Sequence, residues 1–248
     1  MLITCLFVVL CYSPQKKEQE IHLIIIPHFM LDTTKVDEFY SLVHDKRYSE
    51  SDPDSIVLIS PNHFFQEDKK VWTICKKSKT WYLADQIVLS PFPSITCNQN
   101  VFWNWEKISE HWLWNHFRWL NKYFPWVEVF PLAFSSYDMF SSKDTVNKIL
   151  KMKWKILVIA SVDFSHYLPE DITAKHDEIS IQTIQNGTGN DKDFYSLDVD
   201  CPSCLYTINE ISKSIGQSAQ FRYRDSSSTI MWKDMWQENT SRVFMYYE

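Results

Sequence analysis

The chain has 248 residues, of which 45% are hydrophobic and 23% charged, and it carries a net charge of −6. That balance excludes intrinsic disorder and allows one large domain with a real core. With no block of Lys and Arg to track a phosphate backbone, nucleic acid is excluded as a partner. There are 3 glycines, where average usage of roughly 7% would give about 17. Neither a G-x-G-x-x-G nor a G-x-x-x-x-G-K-[ST] loop occurs, so a glycine-rich nucleotide site and a G-x-S-x-G nucleophile elbow are also excluded.

The amino terminus, "MLITCLFVVLCY", is an apolar run followed by the polar stretch "SPQKKEQE". Residues 1–20 therefore read as a leader and linker ahead of a single domain over 21–248. The run is too short for a standard membrane span and lacks the basic start and small-residue cleavage site of a signal peptide. Two readings stand: a membrane-attachment or export segment, and an extra hydrophobic strand packed on the domain.

Next come the apolar runs "LIII" (23–26), "IVLI" (56–59) and "ILVIA" (156–160). Apolar on both faces, they predict central strands of a sheet covered on both sides. Between the first two, Val36, Phe39, Tyr40 and Val43 recur at helical spacing behind Asp32 or Thr33 as N-cap, which predicts a βαβ unit with parallel strands. "EKISEHWLWNHFRWLNKYF" predicts a second helix with Leu113, His116, Phe117, Leu120 and Phe124 on one stripe, leading into the strand "VEVFPL". "SKDTVNKILKM" reads as the helix before "ILVIA", Pro169 opens another helix, and "RVFMYY" is the last strand. The fold class is α/β: a three-layer α/β/α sandwich around a mainly parallel sheet. "CPSC" (201–204) is a lone C-x-x-C, so a four-cysteine zinc site is not available. Its thiols read either as a redox or metal pair or as an inert buried pair.

Each apolar strand stops at a histidine motif: "IIIPHF" at His28, "LISPNHF" at His63, and "IASVDFSH" at Asp163 and His166. In open α/β sheets, ligands bind beyond the carboxyl ends of the strands. Parallel neighbouring strands would put these groups on one rim. One imidazole alone is more often a capped or hydrogen-bonded core residue. Three strand exits with the same feature point instead to a metal site of two imidazoles and one carboxylate or thiolate.

The motifs "PH" after a strand, "ISPNHFF", "EHWLWNHF" followed by "VFPLAF", "VIASVDFSHY", "KHD" and the late cysteine together resemble the Memo family, the B component of the AmmeMemoRadiSam system. That family is similar in fold to the catalytic subunit of class III extradiol dioxygenases. The resemblance runs from about residue 21 to the end of the chain. It implies that His28, His63 and Cys201 are metal ligands, that Asp163 and His166 line the same pocket, and that Glu110 and His111 form its Glu-His pair at a helix start. The chain departs from the family pattern at Phe29 and Met30, at Trp114 in place of a second glutamate, and at Pro202 after Cys201, where Asp200 is an alternative third ligand.

The cofactor expected from this reading is a divalent transition metal, iron first, with copper or zinc also accepted. The resemblance implies radical SAM and AMMECR-type proteins as pathway partners, with a small-molecule substrate or a protein in the metal cleft and a cytoplasmic location. Three readings compete. One is a dioxygenase-type enzyme in which His166 moves a proton and Asp163 orients a ligand. Another is a non-catalytic protein that holds iron or copper, or docks a partner through the same cleft. The third is a scaffold domain with a vestigial pocket.

Overall fold

Parallel strand runs that are apolar on both faces require cover on both faces, and the chain supplies it. A computed structural model describes residues 19–63, 72–73, 96–97, 111–134, 139–233 and 237–248; the apolar run at residues 1–12 lies outside them. Among the described residues, β1 (Glu20–Ile26), α1 (Thr34–Arg47), β2 (Ser55–Pro61), β3 (Trp72–Thr73), β4 (Thr96–Cys97), α2 (His111–Tyr123) and β5 (Glu128–Phe134) form the first half. The second half comprises α3 (Met139–Ile149), β6 (Lys155–Ser161), α4 (Glu170–Asn186), α5 (Asp191–Tyr195), α6 (Pro202–Ile215), β7 (Ala219–Ser226), α7 (Ser227–Met231) and β8 (Ser241–Tyr247).

These strands make one sheet in the order β4-β3-β5-β2-β6-β1-β8-β7. The four central strands β5, β2, β6 and β1 are mutually parallel, and β8 and β7 extend the sheet antiparallel at one side. Alternation along each central strand splits the core in two. Leu23, Ile25, Val57, Ile59, Val158 and Ala160 face a layer that includes residues of α3, α4, α5 and α6. Ile24, Ile26, Ile56, Leu58, Leu157 and Ile159 face the layer of α1 and α2. The architecture is α/β/α. No described helix is long and apolar enough to cross a membrane.

Connection direction explains the two layers. The chain passes from β1 to β2 across β6 in one direction and from β5 to β6 across β2 in the other. Crossovers of the same hand that run in opposite directions place their helices on opposite faces. Accordingly, α1 lies on one side and α3 on the other. In open α/β sheets, ligands bind at the strand ends where the connection directions part.

Most predicted elements are present with shifted edges. The four α1 residues on the predicted stripe are all buried. Thr33 is the N-cap residue, yet the capping oxygen comes from Asp32, which accepts from the Thr34 N–H at 2.9 Å. In α2 the buried stripe is His116, Trp119 and Leu120, while Phe117 is half-buried. The sequence reading assigned no helix to α6 and no strand to β7. α6 is buried around most of its circumference, and its sequence sets Cys204, Leu205, Ile208, Ile211 and Ile215 on one stripe. β7 is an edge strand rich in polar residues. Gly187 and Gly216 close α4 and α6 at φ 64° and 70°, a backbone region that favours glycine.

One buried ion pair ties the antiparallel strands to the loop after β1. Arg242 on β8 is fully buried and donates to both carboxylate oxygens of Asp225 on β7 at 2.7 and 2.6 Å. Its remaining nitrogen donates to the Asp32 carbonyl at 2.5 Å and to the Phe29 carbonyl at 3.4 Å. Removing one partner from such a pair strands the other charge. Arg242→Met is expected to cost about 3–5 kcal/mol in urea unfolding, and Arg242→Met with Asp225→Leu much less than either single change. Independent, additive losses would contradict the coupling.

Candidate metal centre

β6 lies between β1 and β2, and its register sets the site. Ile26 pairs with Ser161 and Ile59 with Ala160, so the three chains leave the sheet side by side. Pro27 follows the last residue of β1 just ahead of His28, while Pro61 is the last residue of β2, still paired with Phe134 of β5, two positions ahead of His63. The Val162 N–H still donates to the Ile26 carbonyl at 3.1 Å, which prolongs the pairing of β6 with β1 by one step.

His28 is at the centre and is buried. Its Nε2 lies 3.4 Å from Nε2 of His63, 3.1 Å from an Asp200 carboxylate oxygen and 3.3 Å from an Asp163 oxygen. Its Nδ1 meets the Ser161 hydroxyl at 3.2 Å. The backbone of the His28 loop is pinned from two directions. Asp163 accepts from the N–H groups of His28 and Phe29, both at 3.0 Å, and the Asn115 amide of α2 donates to the His28 carbonyl at 2.7 Å.

The two carboxylates are also tied to each other. The Asp163 N–H donates to the Asp200 side chain at 3.2 Å, and the Asp200 N–H donates to the Asp163 carbonyl at 3.1 Å. Two residues further on, Ser165 donates its hydroxyl to buried Asp177 of α4 at 2.8 Å. The Ser241 hydroxyl and Arg224 Nε also donate to Asp177, each at 2.8 Å. His166 is bridged to Thr240 across the end of β8. The segment carrying Asp163 and His166 is therefore held by α4 and β8.

Two ligand sets emerge from this packing. His28, His63 and Asp200 form one, and Asp163, His166 and Asp200 form the other; in each, the donor atoms lie within 4.8 Å of one another. One proton on His28 serves the Nε2 contact with His63 and the two carboxylates, and a divalent ion in its place would meet two imidazole nitrogens and a carboxylate oxygen. The donor set suits a divalent transition metal, for which imidazole and carboxylate are ordinary ligands.

Of the residues read from the sequence, His28, His63, Asp163 and His166 converge here. Glu110 lies outside the described residues. His111 is the first residue of α2, and its side chain is likewise outside them. Cys201 requires a correction: it is disulfide-bonded to Cys204 and buried at the start of α6. A disulfide sulfur is not the thiolate that binds a metal. Asp200, one residue earlier, is the carboxylate grouped with His28 and His63. The sequence reading missed Asn115 and the buried His116. The available signal was a histidine on the apolar stripe of α2, which has to find a hydrogen-bond partner inside the core.

Electrostatics follow from the crowding of charge. Burial lowers the pKa of His28, but the charges of Asp163 and Asp200 outweigh it and raise the value to about 9. Burial raises that of Asp200 against the opposing pull of His28. Burial, and then the charge on His28, hold His116 neutral with a pKa of about 3.

A family model described as Memo-like protein matches residues 4–203. The chain belongs to the Memo-like protein family. The crystal structure of an uncharacterized protein from Escherichia coli superposes with a TM-score of 0.55 at 12% identity, covering 90% of this chain and 98% of the other. At that identity the likeness concerns the fold. No curated protein matches the sequence.

A histidine whose folded pKa lies above its unfolded value stabilises the fold fully below about pH 6.5, and the contribution is lost as pH rises through 9. A metal at Nε2 displaces the same proton. The melting temperature of the metal-free chain should therefore fall between pH 6.5 and 9. Over the same window, affinity for Co(II) should rise by up to about tenfold per pH unit, as expected for one displaced proton. Thermal melts and cobalt titrations across this range check both; a flat cobalt affinity would show that His28 does not exchange a proton for the ion.

Proposed function

We propose that this chain holds one divalent transition metal, iron(II) first, on His28, His63 and Asp200, and uses it to oxidise a small substrate with dioxygen. The observation that carries the reading is the meeting of the His28 and His63 Nε2 atoms at 3.4 Å beside the Asp200 carboxylate. Two histidines and one carboxylate on one side of an ion are the ligand set of non-haem iron oxygenases. A thiolate in the third position would favour copper or redox work; the carboxylate moves the balance toward iron.

When bound, the ion would supply Lewis acidity and the electrons that oxygen chemistry requires. The chain's own residues supply the remainder. Asp163 holds the His28 loop by its backbone, with Nε2 of His28 beside His63 and Asp200. His166 is half-buried at the edge of the same cluster, where it can take a proton from a substrate hydroxyl and later return it. Its second role is to close the set with Asp163 and Asp200.

The purified chain should take up about one Fe(II) under anaerobic conditions. His28→Ala, His63→Ala and Asp200→Ala should each lower metal affinity by at least about 100-fold, because each removes one of three ligands. Cys201→Ser should keep the metal. His166→Ala should retain metal yet lose oxygen uptake with a catechol-like substrate. A parent chain that binds iron but consumes no oxygen with substrate would leave the second function, metal holding or partner docking, in place of the enzyme.

A further inference from the structure

Two ligand sets meet at one carboxylate. Asp200 belongs both to the set of His28 and His63 and to that of Asp163 and His166. Its Oδ2 lies 3.1 Å from Nε2 of His28, while its Oδ1 accepts from the Asp163 N–H at 3.2 Å. Asp163 is divided in a similar way. Its Oδ1 accepts from the N–H groups of His28 and Phe29, and its Oδ2 lies 3.3 Å from Nε2 of His28. The half-buried His166 completes the second set from the loop after β6. Its imidazole packs against the Tyr167 ring, 5.7 Å between centroids, and makes no hydrogen bond among the described residues, although a ring nitrogen lies within 4.8 Å of an oxygen of each carboxylate.

We propose that Asp163, His166 and Asp200 hold a second divalent cation, with Asp200 bridging it to the ion on His28 and His63; this rests on the metal reading above. Donor spacing carries the step. Ligand bonds of about 2.0–2.6 Å put donors on opposite sides of an ion about 4–5 Å apart and adjacent donors closer, so three donors within 4.8 Å of one another can close on one ion. A hydrogen bond needs an approach of about 2.7–3.2 Å, which the His166 imidazole does not make to either carboxylate. It is placed to share an ion with them.

The two positions differ in chemistry. The first offers two imidazoles and one carboxylate, and the second offers two carboxylates and one imidazole, so zinc favours the first and the harder Mn(II) suits the second. The second is also the weaker, since its ion enters beside a dication about 3.5–4 Å away, the usual spacing of a two-metal centre. One equivalent of metal therefore fills the first position alone. An imidazole nitrogen whose lone pair holds an ion cannot accept a proton, so filling the second position withdraws His166 from the proton transfer proposed above.

The test loads the purified chain with one equivalent of Zn(II) and titrates it with Mn(II), following the free Mn(II) signal by EPR. The Zn(II)-loaded parent should take up one Mn(II) per chain. His166→Ala should keep the zinc and weaken Mn(II) binding by at least about tenfold, while His166→Asp, which keeps a ligand atom, should restore part of the loss. With Co(II) in place of Zn(II), the signal of the bound Mn(II) should broaden, because two paramagnetic ions about 3.5–4 Å apart couple magnetically. An unbroadened signal places the Mn(II) away from the first ion and overturns the bridge. A Zn(II)-loaded parent that takes up no Mn(II), or that exchanges zinc for it one for one, overturns the second position and leaves the first standing. Equal Mn(II) affinity in the parent and a folded His166→Ala does the same. A parent that holds no Zn(II) overturns the metal reading itself, and the shared carboxylate with it.

Discussion

Two carboxylates within 3.3 Å of one buried imidazole nitrogen demand a positive charge between them. Coulomb repulsion between Asp163 and Asp200 is not relieved by water at that depth. The charge can be a proton on His28, which is why its pKa stands near 9, or a metal ion held with His63 and Asp200. Proton and ion are competitors for one place. The repulsion between the carboxylates is offset while a positive charge stands between them.

What keeps the carboxylates from drifting apart is backbone. Asp163 accepts two main-chain N–H groups of the His28 loop, and Asp163 and Asp200 exchange a further pair of hydrogen bonds. Side chains alone would trade that geometry for rotamer entropy. The same economy holds one layer out, where Asp177 gathers Ser165, Ser241 and Arg224, and where Arg242 reaches the Asp32 and Phe29 carbonyls. Both clusters grip the loops that carry site residues, one after β6 and one after β1. Antiparallel strands β7 and β8, which contribute no ligand, therefore matter to the centre through Arg224 and Arg242.

The rim was legible in the sequence because parallel strands buried on both faces have a plain signature, and each one ended in a polar motif. "LIII", "IVLI" and "ILVIA" gave the central strands and the order of magnitude of their length; His28, His63, Asp163 and His166 followed from where those runs stop. α6 and β7 carried readable patterns that the sequence reading passed over: Cys204, Leu205, Ile208, Ile211 and Ile215 recur at helical spacing, and Ala219, Phe221 and Tyr223 alternate with Gln220, Arg222 and Arg224. Asp200 was visible only as an alternative, because its position depends on the start of α6 and on hydrogen bonds to Asp163 that no spacing rule encodes. The Ser161 to His116 contact joins residues 45 apart in the chain on a strand and a helix. Pairing of that kind is a product of tertiary packing, although a histidine on an apolar stripe announces that some partner must exist.

The bond between Cys201 and Cys204 and the placement of Asp200 belong to one structural event. Pro202 opens α6 with Cys201 as its N-cap, and the turn that precedes it aims the Asp200 carboxylate toward His28 while the cysteines face the core. A sulfur ligand would need that turn to rotate by one residue, which would bring Cys201 out of the core and break the pair of hydrogen bonds between Asp200 and Asp163. The thiolate and carboxylate arrangements are thus alternatives of one loop. With the sulfurs bonded to each other, the loop presents oxygen, the harder donor, and the metal preference of the proposed centre moves with it toward iron and away from copper(I).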